Sequence, residues 1–128
     1  MPETKKALNY VPPSPSQILS IRLRLSPNPK EPITQEKMAE ILGVKPTTVQ
    51  DWENGRYSPR ERNAEKIRRL VMILDCLGNL IKREHRMKFL MTNHPLLYNQ
   101  RPIDLLDSDE GLSRIIKQIT GAKTGSFA

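Results

Sequence analysis

The feature that most constrains the fold is a pair of short amphipathic segments joined at one glycine. The first, residues 35–42, follows Thr34, a residue type that caps helices, and its apolar side chains recur at helical spacing. Gly43 ends it, because glycine adopts the left-handed backbone conformation without a steric penalty. The second segment has a proline in its first turn and runs to about Asn54, where Gly55 follows. The pattern predicts two short helices that share one core.

The second of these helices is predicted to be apolar on one side only. Val49 and Trp52 are three residues apart and should face the core, which leaves Thr47, Gln50 and Asp51 facing outward. A helix of this kind fits the major groove of DNA, and a helix laid across its start sets its angle and contacts the backbone. The segment from Thr34 to Asn54 therefore predicts a helix-turn-helix that reads DNA.

The remainder of the chain predicts more helices and no strand. Ser14-Pro15-Ser16-Gln17 and Ser58-Pro59-Arg60-Glu61 both have the residue order of a capped helix start, and Asp107 is predicted to cap the last helix. A longer helix is expected to follow Ser58-Pro59-Arg60-Glu61 and to reach about Leu77. Another is expected from Leu80 to Thr92. We expect an all-α protein with a five-helix-type helix-turn-helix domain and a small helical C-terminal domain. The predicted boundaries are an N-terminal arm at 1–13, the helix-turn-helix domain at 14–78, and the C-terminal domain at 79–128, with a flexible tail from Gly121.

Composition narrows the function classes. Hydrophobic residues make up 37% of the 128 residues and aromatic residues 5%, which favours packed helices over a sheet sandwich. The net charge of +7 favours contact with phosphate but identifies no fold. A single cysteine, Cys76, excludes an internal disulfide, and no signal-peptide core or membrane-spanning run is seen, so we expect a cytoplasmic protein. His85 and His94 are interpreted as ordinary surface histidines, and we expect no metal, no cofactor, no membrane contact and no enzyme activity.

The residues TQEKMAEILGV at 34–44 and VQDWENGR at 49–56 resemble the Xre/Cro/C1 family of helix-turn-helix domains. The shared elements are glutamine at the start of the first helix, Gly-Val at the turn, and Trp-Glu-Asn-Gly-Arg at the end. The resemblance covers about Ser14 to Leu74. The proline-rich insertion from Ser26 to Pro32 departs from the family, which has a tight connection there.

This resemblance implies roles for individual residues. Glutamine can bond adenine with two hydrogen bonds, whereas aspartate only accepts and so suits a cytosine amino group. An arginine of the first helix, Arg22, is expected to pair with Glu53 and fix the helix angle. The implied base-contacting residues are Pro46, Thr47, Gln50 and Asp51, and the implied phosphate-contacting residues are Gln35, Lys45, Asn54, Arg56 and Arg60.

A second resemblance covers about Leu80 to Gly121. The residues FLMTNHPLL at 89–97 and RPIDLLDSDEG at 101–111 resemble the toxin-binding domain of the MbcA/ParS/Xre antitoxins. Tyr98 and Asn99 replace the family's glycine turn, and Phe89 stands where tryptophan is common. The resemblance implies an antitoxin of a type II toxin-antitoxin pair whose partner is a RES-like toxin acting on NAD. It also implies a homodimer that binds its own promoter, with Lys123 and Phe127 in the tail as toxin-binding anchors.

Two other functions fit the same sequence. A stand-alone Cro/C1-type repressor would share the DNA reader and use the C-terminal half only for dimerisation. An interaction adaptor would have lost DNA binding, which the acidic Asp51 on the reading face and the modest positive charge leave open.

Overall fold

The computed structural model describes residues 11–78 and 80–124. In that part the chain forms α-helices and short 3₁₀ helices and no strand, which confirms the predicted all-α fold. Two 3₁₀ helices, Pro95–Leu97 and Pro102–Leu105, lie between the last two α-helices. The α-helices are α1 (Pro15–Leu25), α2 (Gln35–Leu42), α3 (Pro46–Glu53), α4 (Glu61–Leu77), α5 (Arg83–Met91) and α6 (Asp109–Thr124).

The ends of α1 and α2 are set by local side chains, as predicted. The Ser14 hydroxyl accepts from the Gln17 N–H at 3.2 Å, and Gln17 Oε1 accepts from the Ser14 N–H at 2.7 Å, which completes a capping box. The Thr34 hydroxyl accepts from the Lys37 N–H at 3.1 Å at the start of α2. Gly43 ends α2 with φ of 70°, a left-handed conformation in which a side chain is strained. The turn between α2 and α3 is therefore fixed by the sequence.

Three other predicted helix ends are wrong. Ser58 does not cap α4, which begins at Glu61, because Pro59 is buried and the extended segment before the helix is held by packing. The next helix begins at Arg83 and not at Leu80, because the N–H groups of Leu80 and Ile81 bond Leu77 in a turn that closes α4.

At α6 the capping residue is Ser108 and not Asp107. The Ser108 hydroxyl accepts from the Gly111 N–H at 3.0 Å, whereas Asp107 lies 3.5 Å from Lys66 Nζ. The helix continues to Thr124, past Gly121, the residue at which the flexible tail is predicted to begin. Residues 125–128 lie outside the described residues.

One cluster of buried side chains runs through both halves of the chain. Helix α4 is central to it, since its 17 residues contact α2 of the N-terminal half and α6 of the C-terminal half. Each fully buried Leu or Ile contributes about 1.5–3 kcal/mol relative to exposure. The cluster includes Ile18, Ile21, Leu25, Met38, Ile41, Val49, Trp52, Ile67, Leu70, Leu74, Leu77, Leu90, Leu97, Ile103, Leu106, Ile115 and Ile119.

Gly111, in the first turn of α6, permits close packing against the second 3₁₀ helix. A Cβ at this position would lie 2.2 Å from the carbonyl oxygen of Leu105. Only glycine therefore allows α6 to begin at this place without moving the preceding segment. Among the described residues, no helix has both the length and the apolar character needed to cross a bilayer.

Candidate nucleic-acid interface

Helix α3 has one buried side and one exposed side. Val49 is fully buried and Trp52 is 4% exposed, so both are fixed in the core. Pro46, Thr47 and Gln50 are exposed, and no side-chain hydrogen bond engages Thr47 or Gln50 within the described part of the chain. The arrangement leaves the polar side chains of Thr47 and Gln50 exposed on a helix whose opposite side is fixed in the core. Their contact with bases stays a prediction.

Asp51, the fourth residue predicted to contact bases, is half-buried. Its backbone carbonyl accepts from the N–H groups of Arg56 and Tyr57 at 3.0 and 3.5 Å. These bonds fold the segment after α3 back onto the helix, with Gly55 at φ of 75° making the turn. Asp51 therefore has a structural role through its main chain, whatever its carboxylate does.

The carboxylate of Glu53 fixes α3 against both preceding helices. Arg22 Nη1 donates to its two oxygens at 2.8 and 3.0 Å, and the two side chains are only 13% and 11% exposed. Arg22 Nε also donates to the Ile33 carbonyl at 2.9 Å, just before α2 begins. The predicted pair between Arg22 and Glu53 is confirmed, and it reaches across 31 residues of sequence. Its partial burial makes it a rigid joint and not a loose surface contact.

Gln35, the residue predicted to contact phosphate from the start of α2, is already engaged. Its Nε2 donates to Glu53 Oε1 at 3.1 Å, and the side chain is half-buried. A carboxamide nitrogen carries two hydrogens, so one remains for a phosphate oxygen. Gln35 therefore lies where its Nε2 could bond a DNA phosphate and the Glu53 carboxylate at the same time.

The other residues predicted to contact phosphate, Lys45, Asn54, Arg56 and Arg60, are all exposed. Lys45 lies just before α3, Asn54 and Arg56 follow it, and Arg60 lies just before α4. Within residues 11–78 and 80–124, none of the basic side chains of Lys45, Arg56 and Arg60 has an ion pair. Sequence reasoning did not single out Tyr57, which is 65% exposed beside Arg56. Its exposure depends on the turn after α3, which no local pattern reveals.

In the C-terminal half, His94 organises the segment between α5 and the 3₁₀ helices. Its ring lies 4.9 Å from that of Phe89, and His94 Nε2 lies 3.0 Å from the Phe89 carbonyl oxygen. Its backbone carbonyl accepts from Leu97 and Asn99, and its N–H donates to Gln100. His94 is half-buried, so its interpretation as an ordinary surface histidine is wrong.

Tyr98 and Asn99 take the conformation that a glycine turn would take. Their φ angles are 57° and 60°, the left-handed region that costs a non-glycine residue on the order of 1 kcal/mol. Tyr98 is 71% exposed, and its ring lies under the guanidinium of Arg114, 4.8 Å from the ring centre. The turn therefore presents an aromatic side chain at the surface of the C-terminal half.

Ion pairs and charge-assisted hydrogen bonds join α4 to the C-terminal half. Arg69, which is 11% exposed, donates to the Leu106 carbonyl at 3.0 Å and to Asp109 Oδ1 at 3.0 Å. The hydrogen bond from Arg69, followed by that from Arg68, lowers the pKa of Asp109 from its ordinary value. The predicted toxin-binding anchors lie outside the described part of the chain, namely the side chain of Lys123 and the whole of Phe127. Within that described part, no group of His, Cys, Asp and Glu side chains could hold a metal ion.

Known proteins resemble this chain both in sequence and in fold. Residues 33–70 match the model of the helix-turn-helix family. The chain is 24% identical over 95 residues to the mycobacterial cidal antitoxin MbcA of Mycobacterium bovis and of Mycobacterium tuberculosis, covering 74% of this chain and 83% of the relative. The structure also matches a chain in the crystal structure of the M. tuberculosis MbcT-MbcA toxin-antitoxin complex, with a TM-score of 0.68 and 23% identity over 89% of this chain and 96% of that chain. Both resemblances seen in the sequence are confirmed.

Proposed function

We propose that this protein is a DNA-binding antitoxin, which binds operator DNA through α3, represses its own operon and neutralises a toxin through its C-terminal half. The observation that carries the proposal is the two-sided α3, with Val49 and Trp52 buried while Thr47 and Gln50 are exposed. The likeness to MbcA, which extends over both halves, supports the antitoxin role. A protein that binds chromosomal DNA would be located in the cytoplasm.

The dimensions of the reader suit the major groove. An α-helix with its side chains is about 10–12 Å across, which matches the groove width of about 12 Å, and the eight residues of α3 extend about 12 Å. With α3 in the groove, Thr47 and Gln50 would meet base edges while Lys45 and Arg56 reached the flanking phosphates. A homodimer would place two such helices about 34 Å apart on a two-fold symmetric operator.

The relatives support a toxin partner for this chain. The antitoxin MbcA was solved in complex with its toxin MbcT, and this chain shares its fold. We infer that the partner of this chain is a RES-like toxin that acts on NAD, and that Lys123 and Phe127 of the tail contact it. This role requires no catalytic residue in the antitoxin itself.

A mobility-shift titration with DNA from upstream of the gene tests the DNA-binding part. The account predicts that affinity falls steeply with salt, because each phosphate contact releases a counterion. Lys45→Ala should weaken binding to all duplexes and reduce the salt slope by about one unit. Lys88→Ala, an exposed lysine on α5, is the matched control and should leave the slope unchanged. Binding that is absent at low salt, as expected of an interaction adaptor, contradicts the proposal.

Co-expression with the neighbouring gene tests the antitoxin part. If the neighbour encodes the toxin, its induction alone should arrest growth, and this chain should restore growth. A stand-alone repressor would bind the same DNA but would not rescue the cells. The two assays therefore separate the proposed function from both alternatives.

A further inference from the structure

The end of α1 is held by two arginines of the C-terminal half. Arg83 Nη1 donates to the carbonyl oxygens of Leu23 and Ser26, at 2.8 and 3.1 Å. Arg86 Nη1 donates to the Arg24 carbonyl at 3.1 Å. The last carbonyls of a helix lack partners within the helix and carry its negative dipole end, so a cation there is doubly favourable.

The carbonyls held in this way belong to Leu23, Arg24 and Ser26, which follow Arg22 closely along the chain. The Arg22 side chain bonds Glu53 at the end of α3 and the Ile33 carbonyl before α2. The Ile33 N–H also donates to the Arg22 carbonyl at 3.1 Å. One short stretch of α1 therefore connects α5 of the C-terminal half to both helices of the DNA reader.

A second connection reaches the end of α2. Lys66 Nζ donates to the Leu42 carbonyl at 3.0 Å and lies 3.5 Å from Asp107 Oδ1. The Lys66 side chain is 15% exposed. The C-terminal end of α2, like that of α1, is therefore bonded by a basic side chain that links it to the C-terminal half.

The placement of Arg86 is costly by itself. Burial, and then the neighbouring charges of Arg83 and Arg24, lower the pKa of Arg86 from its ordinary value. Its Nε is buried and has no hydrogen-bond partner among the described residues. The bonds to the main-chain carbonyls offset this cost only while the end of α1 stays in place, so the cluster favours one position of α1 over others.

We propose that Arg83 and Arg86 are positioning residues for operator recognition: by holding the end of α1 they fix, through Arg22, the angle of α3 in the groove. This inference rests on the proposed function, since it requires that α3 reads DNA. It makes the toxin-binding half a determinant of sequence selectivity and not only a separate module.

The test compares binding to an operator duplex with binding to a scrambled duplex of the same length and composition. Arg83→Gln removes the guanidinium that bonds the Leu23 and Ser26 carbonyls, and with it one positive charge. Arg24→Gln is the matched control, because it removes one positive charge beside the same end of α1 but leaves the Arg24 carbonyl in place. Among the described residues, the Arg24 side chain pairs only with Asp75, whose side chain is 65% exposed. Both variants are measured at a temperature at which circular dichroism shows them folded.

The inference predicts that Arg83→Gln lowers the ratio of operator to scrambled affinity by about tenfold or more, the size of a lost base contact. Arg24→Gln should weaken both affinities alike and leave the ratio unchanged. Arg83→Lys, which keeps a cation able to donate to the carbonyls, should restore most of the ratio. If Arg83→Gln does not fold, Arg86→Gln carries the same prediction.

Two outcomes are separable. If the wild-type protein binds both duplexes equally or not at all, the proposed function fails. If the wild-type protein selects its operator and the variants at Arg83 and Arg86 keep the same ratio while folded, the operator reading stands and the positioning role is overturned.

Discussion

Replacing Arg22 by alanine breaks the joint that holds α3 against the rest of the reader. The substitution removes three hydrogen bonds, two to the Glu53 carboxylate and one to the Ile33 carbonyl. Among the described residues, Glu53 would keep only the bond from Gln35 Nε2, while its side chain is 13% exposed. A carboxylate left in that position without its cation is poorly solvated, which is what makes the loss large.

Breaking one side of a buried ion pair costs about 3–5 kcal/mol. We expect the lower end, about 3 kcal/mol, because Gln35 still donates to Glu53. For a chain of this length that is a fall in Tm of roughly 10 °C. Arg24→Ala breaks a pair whose side chains are 33% and 65% exposed, so it should cost less than about 1 kcal/mol.

Urea unfolding and thermal melts of the two variants against wild type provide the measurement. Replacing both partners, Arg22→Met with Glu53→Met, should be less destabilising than Arg22→Ala alone, since no unpaired charge remains. Equal losses for Arg22→Ala and Arg24→Ala would refute the reasoning that the joint is buried and stabilising.

Three further predictions concern the C-terminal half. Gly111→Ala should cost at least about 2 kcal/mol of unfolding free energy, because its Cβ would meet the Leu105 carbonyl oxygen at 2.2 Å, while the exposed Ser113→Ala stays within about 0.5; similar melts for both would contradict this. The lowered pKa of Asp109 means that its stabilising effect is complete above the unfolded pKa of roughly 3.9 and is lost as pH falls through the lower folded value. The urea midpoints of wild type and Asp109→Asn should therefore differ at pH 6 and begin to converge only as pH falls below about 4, and a gap independent of pH would count against the pairing with Arg69. Removing residues 125–128 should leave DNA affinity unchanged and weaken toxin neutralisation on co-expression, whereas full rescue of growth by the shortened chain would exclude Phe127 as an anchor.

The reader could be predicted from the sequence because its signals are local. Thr34, Gly43 and Pro46 each act on backbone within a few residues, and the structure places α2 and α3 at the predicted positions. The capping box at Ser14 is local in the same way. The pair between Arg22 and Glu53 was predicted only from the family resemblance, since nothing in the residues alone joins positions 31 apart.

The wrong start of α6 occurs where several consecutive residues give the same capping signal. Asp107, Ser108 and Asp109 are three consecutive residues that can each cap a helix. Tertiary contacts decide among them, because Lys66 engages Asp107 and Arg69 engages Asp109, which leaves Ser108 to cap α6. The bond from Arg83 to Leu23 spans 60 residues and has no local signature at all, so the connection between the halves could not be predicted.

The most direct test of the central claim, that the free side of α3 reads bases, is an affinity profile of Gln50→Ala over single base-pair substitutions of the operator. The account predicts that the variant binds the operator more weakly by about 1–3 kcal/mol and loses discrimination at one base pair, while the other positions keep theirs. A profile and an affinity identical to those of the wild-type protein would contradict it.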